Sequence, residues 1–222
     1  MQNYNYKIVI IGDSGVGKTS FMYRLNNDTY YDITNTTIGA AYFKQYINYK
    51  DKTFILDYWD TAGQERFRSL LPIYFRCVNI LLIVIDSTQD IKDQLVRWFS
   101  YYNNMHFFEK STLNKTHYIF LIFTKIDLNK DFTLPDTIKY IYEDYVLPKN
   151  IFLVSSKKNI GFDNFKNCLY NDIFNIYTYL SIDVNQQPFN KDINITDNKD
   201  NTDIKSNYNY YMDKFKKKCS FL

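Results

Sequence analysis

The sequence predicts an α/β fold, a three-layer sandwich whose six-stranded sheet is mostly parallel with one antiparallel edge strand. Three observations carry that expectation. Stretches of strand character alternate with stretches of helical spacing, the order that joins parallel strands through crossover helices. Ile80-Leu81-Leu82-Ile83-Val84-Ile85 is aliphatic throughout, as a strand covered on both faces must be. A glycine-rich loop, Gly12-Asp13-Ser14-Gly15-Val16-Gly17-Lys18-Thr19, lies between an apolar run and a segment able to continue as a helix.

Taken in order, Ile8-Val9-Ile10-Ile11 forms the first strand, and Ser20 to Leu25 continues the first helix. Asn26 to Thr37 is polar and irregular. Ala40 to Tyr49 and Thr53 to Trp59 read as a hairpin around the tight turn Lys50-Asp51-Lys52. Glu65 to Arg76 reads as an irregular helix interrupted near Pro72. After the aliphatic strand, Asp93 to His106 places Leu95, Trp98, Phe99 and Tyr102 on one helical face. Tyr118 to Phe123 is a second buried strand, Thr133 to Tyr145 a helix, and Ile151 to Val154 a short strand. Asp163 to Tyr179 closes the domain as an amphipathic helix with Phe165, Leu169 and Phe174 inward. The domain therefore spans residues 1–180.

Residues 181–222 have a different character. From 181 to 213 the chain is rich in Asn and Asp and too poor in apolar residues to fold, with a flexible reach of about 30–35 Å. Lys214-Phe215-Lys216-Lys217-Lys218 then supplies four lysines in five residues. The net charge of +3 is too small to argue for nucleic acid. Three cysteines without paired spacing argue against a disulfide framework or a zinc site and suit a reducing compartment. The N-terminus runs straight into the first strand without room for a signal peptide, so a cytosolic protein is expected. Of only six glycines, five (Gly12, Gly15, Gly17, Gly39 and Gly63) surround one candidate site.

That site is read from five pieces. The loop fits Gly-x-x-x-x-Gly-Lys-[Ser/Thr], and its strand and helix context makes the sandwich that of a P-loop NTPase. Backbone N–H groups of Asp13, Ser14, Gly15, Val16, Gly17 and the first helical residues through Ser20 can ring a di- or triphosphate. Lys18 can reach the outer phosphates, and the Thr19 hydroxyl can take a Mg²⁺ position. Asp60 can hold Mg²⁺ through water, Gly63 can offer its N–H to a terminal phosphate, and Gln64 can orient an attacking water. Thr37 can add a hydroxyl to the metal and an N–H to the phosphate, so its loop is held only while that phosphate exists. Asp127 can accept both N–H donors of guanine, which adenine lacks, with Lys125 along the ring. Thr124 opens that motif; Ser155-Ser156-Lys157 and Tyr30 complete the base pocket. The lesser alternatives make Asp127 a loop cap and Asp60 a helix cap.

Together these motifs resemble the Ras superfamily of small GTPases over residues 6–180. Ile38-Gly39-Ala40-Ala41-Tyr42-Phe43, Trp59 to Leu70 and Pro72-Ile73-Tyr74-Phe75-Arg76 are similar to Rab signature segments, and the Ile-Gly-Ala-Ala run to the early-endosomal branch. The resemblance implies a GTP/GDP switch with Mg²⁺, using Gln64 and Lys18 in slow hydrolysis. It implies an exchange factor, an activating protein, a GDP-dissociation inhibitor, and effectors read through an aromatic triad at Tyr42, Trp59 and Tyr74. It places the protein on the cytoplasmic face of endosomal or other vesicular membranes, with a cytosolic pool. Cys219-Ser220-Phe221-Leu222 fits a prenylation signal at Cys219, behind the basic run. The sequence departs from the pattern at Thr124 (Asn is usual), Ser156 (Ala), Cys77 (Gly) and in a longer Phe107–His117 stretch. A prenylated pseudo-GTPase scaffold with weak or no turnover is the alternative.

Overall fold

The computed structural model describes residues 4–32, 36–108, 118–129 and 131–184. The lysine run, Cys219 and most of the Phe107–His117 stretch lie outside the described residues. The chain divides into two units, Met1–Cys168 and Leu169–Leu222. The sheet and every candidate site residue described below belong to the first.

Six strands run in the order β2-β3-β1-β4-β5-β6. They are β1 Tyr4–Ile11, β2 Ala40–Tyr49, β3 Lys52–Thr61, β4 Ile80–Asp86, β5 Tyr118–Thr124 and β6 Ile151–Leu153. Only β2 is antiparallel, paired with β3 from Ala40↔Thr61 to Tyr49↔Lys52. The hairpin loop is the two residues Lys50 (φ 47°) and Asp51 (φ 60°). Positive φ at both is the turn whose twist matches the strands.

The expected two-sided burial holds for β4, where all seven residues are buried. Alternation sorts the side chains. Val9, Ile11, Leu81, Ile83 and Ile85 join a core with Leu95, Trp98, Phe99 and Tyr102 of helix α3, Ile91–Phe108. On the opposite face Phe21 of α1 (Lys18–Asn27) packs at 5.1 Å on Phe162 and 5.2 Å on Phe165, at the start of helix α4 (Phe162–Val184). Phe165 also meets Phe120 and Phe152 edge-on at 5.9 and 5.3 Å. Truncating such a fully buried ring costs about 3–5 kcal/mol.

Expectations for two segments need correction. Thr133–Tyr145 is not an α-helix: only Asp136–Ile141 coils, as a 3-10 turn after Pro135, with Ile138 and Ile141 buried. Spacing of apolar residues at i and i+3 fits a 3-10 turn as well as an α-helix. Glu65–Arg76 is irregular and interrupted near Pro72 as expected: a 3-10 turn, Glu65–Leu70, gives way to a short helix α2, Leu71–Phe75, with Pro72 in its first turn, where a missing N–H costs nothing. In α4, Phe165 and Leu169 are buried as expected, but Ile173 takes the buried place and Phe174 is half-exposed. The helix also runs to Val184, past residue 180.

Candidate functional site

β1 ends at Ile11 and the chain turns through Gly15 (φ 77°) and Gly17 (φ 96°) before α1 begins at Lys18. Both angles lie in the left-handed region, where a side chain is strained. Its N-cap, Gly17, makes no side-chain cap, and uncapped N–H groups at a helix start suit an anion. Lys18 folds back under this loop, only 5% exposed, and donates to the carbonyls of Gly12 (2.9 Å) and Asp13 (2.7 Å). Burial lowers its pKa to about 8, although Asp60 and Asp13 pull the other way. The buried cation donates to two neutral carbonyls and has the carboxylates of Asp60 and Asp13 as its nearby countercharges. Gly63 crosses directly above: a Cβ there would overlap the Asp13 carbonyl oxygen and the Lys18 ammonium.

Beside the ammonium, three oxygens from three elements meet. The Thr19 hydroxyl donates to Asp60 Oδ2 at 2.6 Å and lies 2.9 Å from the Thr37 hydroxyl. Asp60 is fully buried, and its Oδ1 has no hydrogen-bond partner. Burial raises its pKa to about 6, against the Thr19 hydrogen bond and the Lys18 charge. The strand end that presents it is pinned by the Thr61 hydroxyl on the Ile10 carbonyl (2.6 Å) and by Ala62 N–H on the Gly39 carbonyl (2.8 Å). A carboxylate with an unused oxygen and two hydroxyls suits a hard, oxygen-loving cation. Among the described residues no cluster of three or more His, Cys, Asp or Glu could hold a metal on its own.

At the other end of the cleft, β5 delivers Thr124. Its hydroxyl lies 2.6 Å from the Val16 carbonyl and 3.1 Å from that of Ile85, bracing the phosphate loop against the sheet. Lys125 (φ 59°) carries its ammonium to Asp86 Oδ2 at 2.7 Å. Asp127 Oδ1 accepts from the Ser155 hydroxyl at 2.6 Å, and that hydroxyl accepts from Lys158 N–H at 3.0 Å. Ser156 offers its carbonyl to Arg24, and Lys157 lies 5.9 Å from the Tyr30 ring centroid. Asp86 went unrecognised in the sequence, although an acid ending a wholly apolar strand is itself a signal.

Gln64 precedes the 3-10 turn and lines a cleft with Ser14, Asp13, Arg68 and Arg97. Arg97 from α3 reaches Asp13 at 2.8 Å, and Arg68 lies 3.5 Å from it. Ser20 completes the first turn of α1. On the outer sheet face Tyr42, Trp59 and Tyr74 form a continuous row with centroids 5.3 and 5.5 Å apart, and the Tyr42 hydroxyl donates to Asp57. Thus the structure brings Thr19, Thr37 and Asp60 together, ties the segment that carries Asp127 to the glycine loop through Thr124, and keeps the triad together as a separate row.

Comparison with known proteins finds the family described as "Ras of Complex, Roc, domain of DAPkinase" over residues 7–127. The GTP-binding protein YPT52 of Saccharomyces cerevisiae is 42% identical over 100 residues, 41% of this chain and 43% of that protein. The Ras-related protein RABF2a of Arabidopsis thaliana is 44% identical over 87 residues, 39% of this chain and 44% of that protein. The Ras-related protein RABD2a of the same plant is 31% identical over 159 residues, 71% of this chain and 73% of that protein. The chain therefore spans less than half the length of the first two relatives and nearly three quarters of the third.

Proposed function

The chain belongs to the Rab family of Ras-superfamily GTPases, and from that premise we propose that it is a guanine-nucleotide switch that hydrolyses GTP slowly and recruits effectors in membrane trafficking. The observation that carries the proposal is the meeting of Thr19, Thr37 and the half-satisfied Asp60 carboxylate beside the buried Lys18 ammonium. Asp60 Oδ1 has no hydrogen-bond partner there, so the carboxylate keeps an oxygen free for a cation beside the two hydroxyls. A Mg²⁺ ion bound by Thr19 and Thr37, and by Asp60 through water, would neutralise charge on the terminal phosphates.

The chain's own groups do the rest. Lys18, freed from the Gly12 and Asp13 carbonyls, holds the outer phosphates, and Gly63 presents its N–H. Gln64, in the solvent-facing cleft, orients the attacking water. Asp127, held in place by Ser155, accepts the two guanine N–H donors. Thr37 reports the terminal phosphate to the loop before β2, and Tyr42, Trp59 and Tyr74 form the face that effectors read. No helix among the described residues is long and apolar enough to cross a membrane. Attachment to the cytoplasmic face of endosomal or other vesicular membranes falls to prenylation at Cys219 and the lysines before it. The expected partners are an exchange factor, an activating protein, a GDP-dissociation inhibitor and effectors. A scaffold without turnover is not favoured, because Lys18, Thr37, Asp60 and Gln64 are all in place.

The test is to denature freshly purified protein, identify the released nucleotide, and then measure phosphate release from GTP with and without an activating domain. Near-stoichiometric GDP and accelerated release are expected. An empty or adenine-loaded protein would overturn the guanine reading, and GDP without any phosphate release would overturn the enzyme.

A further inference from the structure

The base side of the site is closed by side chains outside the motifs that name the family. Helix α1 ends at Asn27 and is capped by Asp28, whose φ of 53° turns the chain left-handed, a region Asp tolerates. The chain then runs through Thr29, Tyr30 and Tyr31 to Asp32, with Tyr31 packed edge-on against Tyr23 at 5.3 Å. Three links join this segment and the end of α1 to the loop after β6. Arg24 donates from Nε to the Ser156 carbonyl at 2.8 Å, and from Nη1 to the Asp28 carbonyl at 2.7 Å and its carboxylate at 3.1 Å. Asn159 Nδ2 donates to the same carboxylate at 3.2 Å. Lys157 donates to Asp32 at 2.9 Å while its ammonium faces Tyr30. These cross-links connect positions 125 to 132 apart in sequence.

Thr124 explains why such links matter here. Its hydroxyl is committed to the carbonyls of Val16 and Ile85 and leaves the base to Asp127, Lys125 and the flanks formed by Tyr30 and Lys157. A base held by Asp127 would lie beside Tyr30 and Lys157, which belong to the two segments that these links hold together. We propose that Arg24, Asp28, Asp32 and Asn159 form a clasp across the base that sets the rate at which nucleotide leaves. The inference rests on the guanine-nucleotide reading of the same site. The four are positioning residues: they act through Ser156, Lys157 and Tyr30.

The clasp has two parts of different physical character. The Arg24 side chain is 13% exposed, and its planar fork serves two acceptor directions at once, which a lysine ammonium cannot do. The Lys157–Asp32 pair is 52% and 75% exposed, so it is weak and screened by salt. Release should therefore have one component that salt leaves alone and one that salt removes.

The experiment loads the full chain with a fluorescent GDP and follows its loss after adding excess unlabelled GDP. Arg24→Lys should speed release about 10-fold, and Asp32→Asn about 2- to 5-fold. Raising sodium chloride from about 0.05 to 0.5 M should speed release from the unaltered chain and have much less effect on Asp32→Asn. A purely structural role would not produce that loss of salt sensitivity. Asp32 is exposed, so its variant remains informative even if Arg24→Lys folds poorly. GDP that is retained but leaves both variants within about 1.5-fold of the unaltered rate would overturn the clasp alone. An unaltered chain that retains no guanine nucleotide would overturn the reading of the site and the clasp with it.

Discussion

The two ends of the crevice are built on opposite physical plans. At the phosphate end Lys18 and Asp60 are buried, their pKa values are moved toward neutrality by lost hydration, and backbone from strand ends holds them. At the base end the closing contacts are between exposed side chains on two loops, with only Arg24 well shielded. The difference teaches where affinity and where timing reside. Desolvated charged groups interact strongly and are costly to leave without a partner, whereas exposed pairs give small increments that water and salt can adjust.

The largest break is at the phosphate end. Lys18→Ala should weaken GDP binding by about a hundredfold or more, since removing one member of a desolvated charge pair costs about 2–5 kcal/mol; titration calorimetry measures it. The pH dependence sharpens the same end. Asp60 binds cation as a carboxylate, and its pKa in the folded, empty site is about 6. Below that pH it holds a proton, so Mg²⁺-dependent nucleotide affinity should fall as pH drops from 7 to 5. In the empty protein the sign for stability is reversed: a raised carboxyl pKa means the folded state binds more protons between about 4 and 6, so folding gains as pH falls through that window. The same sign analysis for Lys18, lowered from 10.5 to about 8, gives stability that rises with pH between those values. Melting temperatures of nucleotide-free protein across both windows check this.

A smaller effect tests the strut joining the ends. Thr124→Ala removes the hydroxyl between Val16 and Ile85 and should cost about 1–2 kcal/mol, a few degrees in melting temperature. Nucleotide release should quicken as the loop loosens. The smallest effect is a control remote from both ends. Cys77 is exposed with φ 57°, so Cys77→Gly should stabilise by about 0.5–1 kcal/mol in urea titration without altering nucleotide release. A change in release would mean that the two ends are not as separable as their construction suggests.

Much of the phosphate end was legible because its requirements are local. A strand, a turn that only glycine tolerates and a helix N-terminus are contiguous in sequence, so Gly12 to Thr19 could be read as one unit. Asp60 is the last residue but one of β3, and Gly63 and Gln64 follow that strand end by fixed spacing. The Thr133–Tyr145 segment misled because apolar residues three apart serve a 3-10 turn and an α-helix alike, and only the hydrogen bonds Ile138 N–H to Pro135 and Tyr142 N–H to Lys139 decide between them. Ile173 rather than Phe174 is buried because, at about 100° per residue, Phe174 lies roughly 180° round the helix from Phe165 whereas Ile173 lies roughly 80° from it.

The base-end clasp could not be read from the chain, since Arg24, Asp28, Asp32 and Asn159 look like ordinary surface residues until the fold brings segments more than a hundred positions apart into contact. Thr124 likewise looked like a change in a base-binding residue, and the structure gives its hydroxyl to two backbone carbonyls instead. By itself the sequence determined the strand order's parallel character, the phosphate loop, and the candidate metal and base residues, because each rests on local spacing and on which side chains must avoid water. Tertiary structure alone decided which carboxylate holds Lys125 and which exposed charges pair across the base. Those depend on distances between elements, and no local pattern encodes a distance across the sheet.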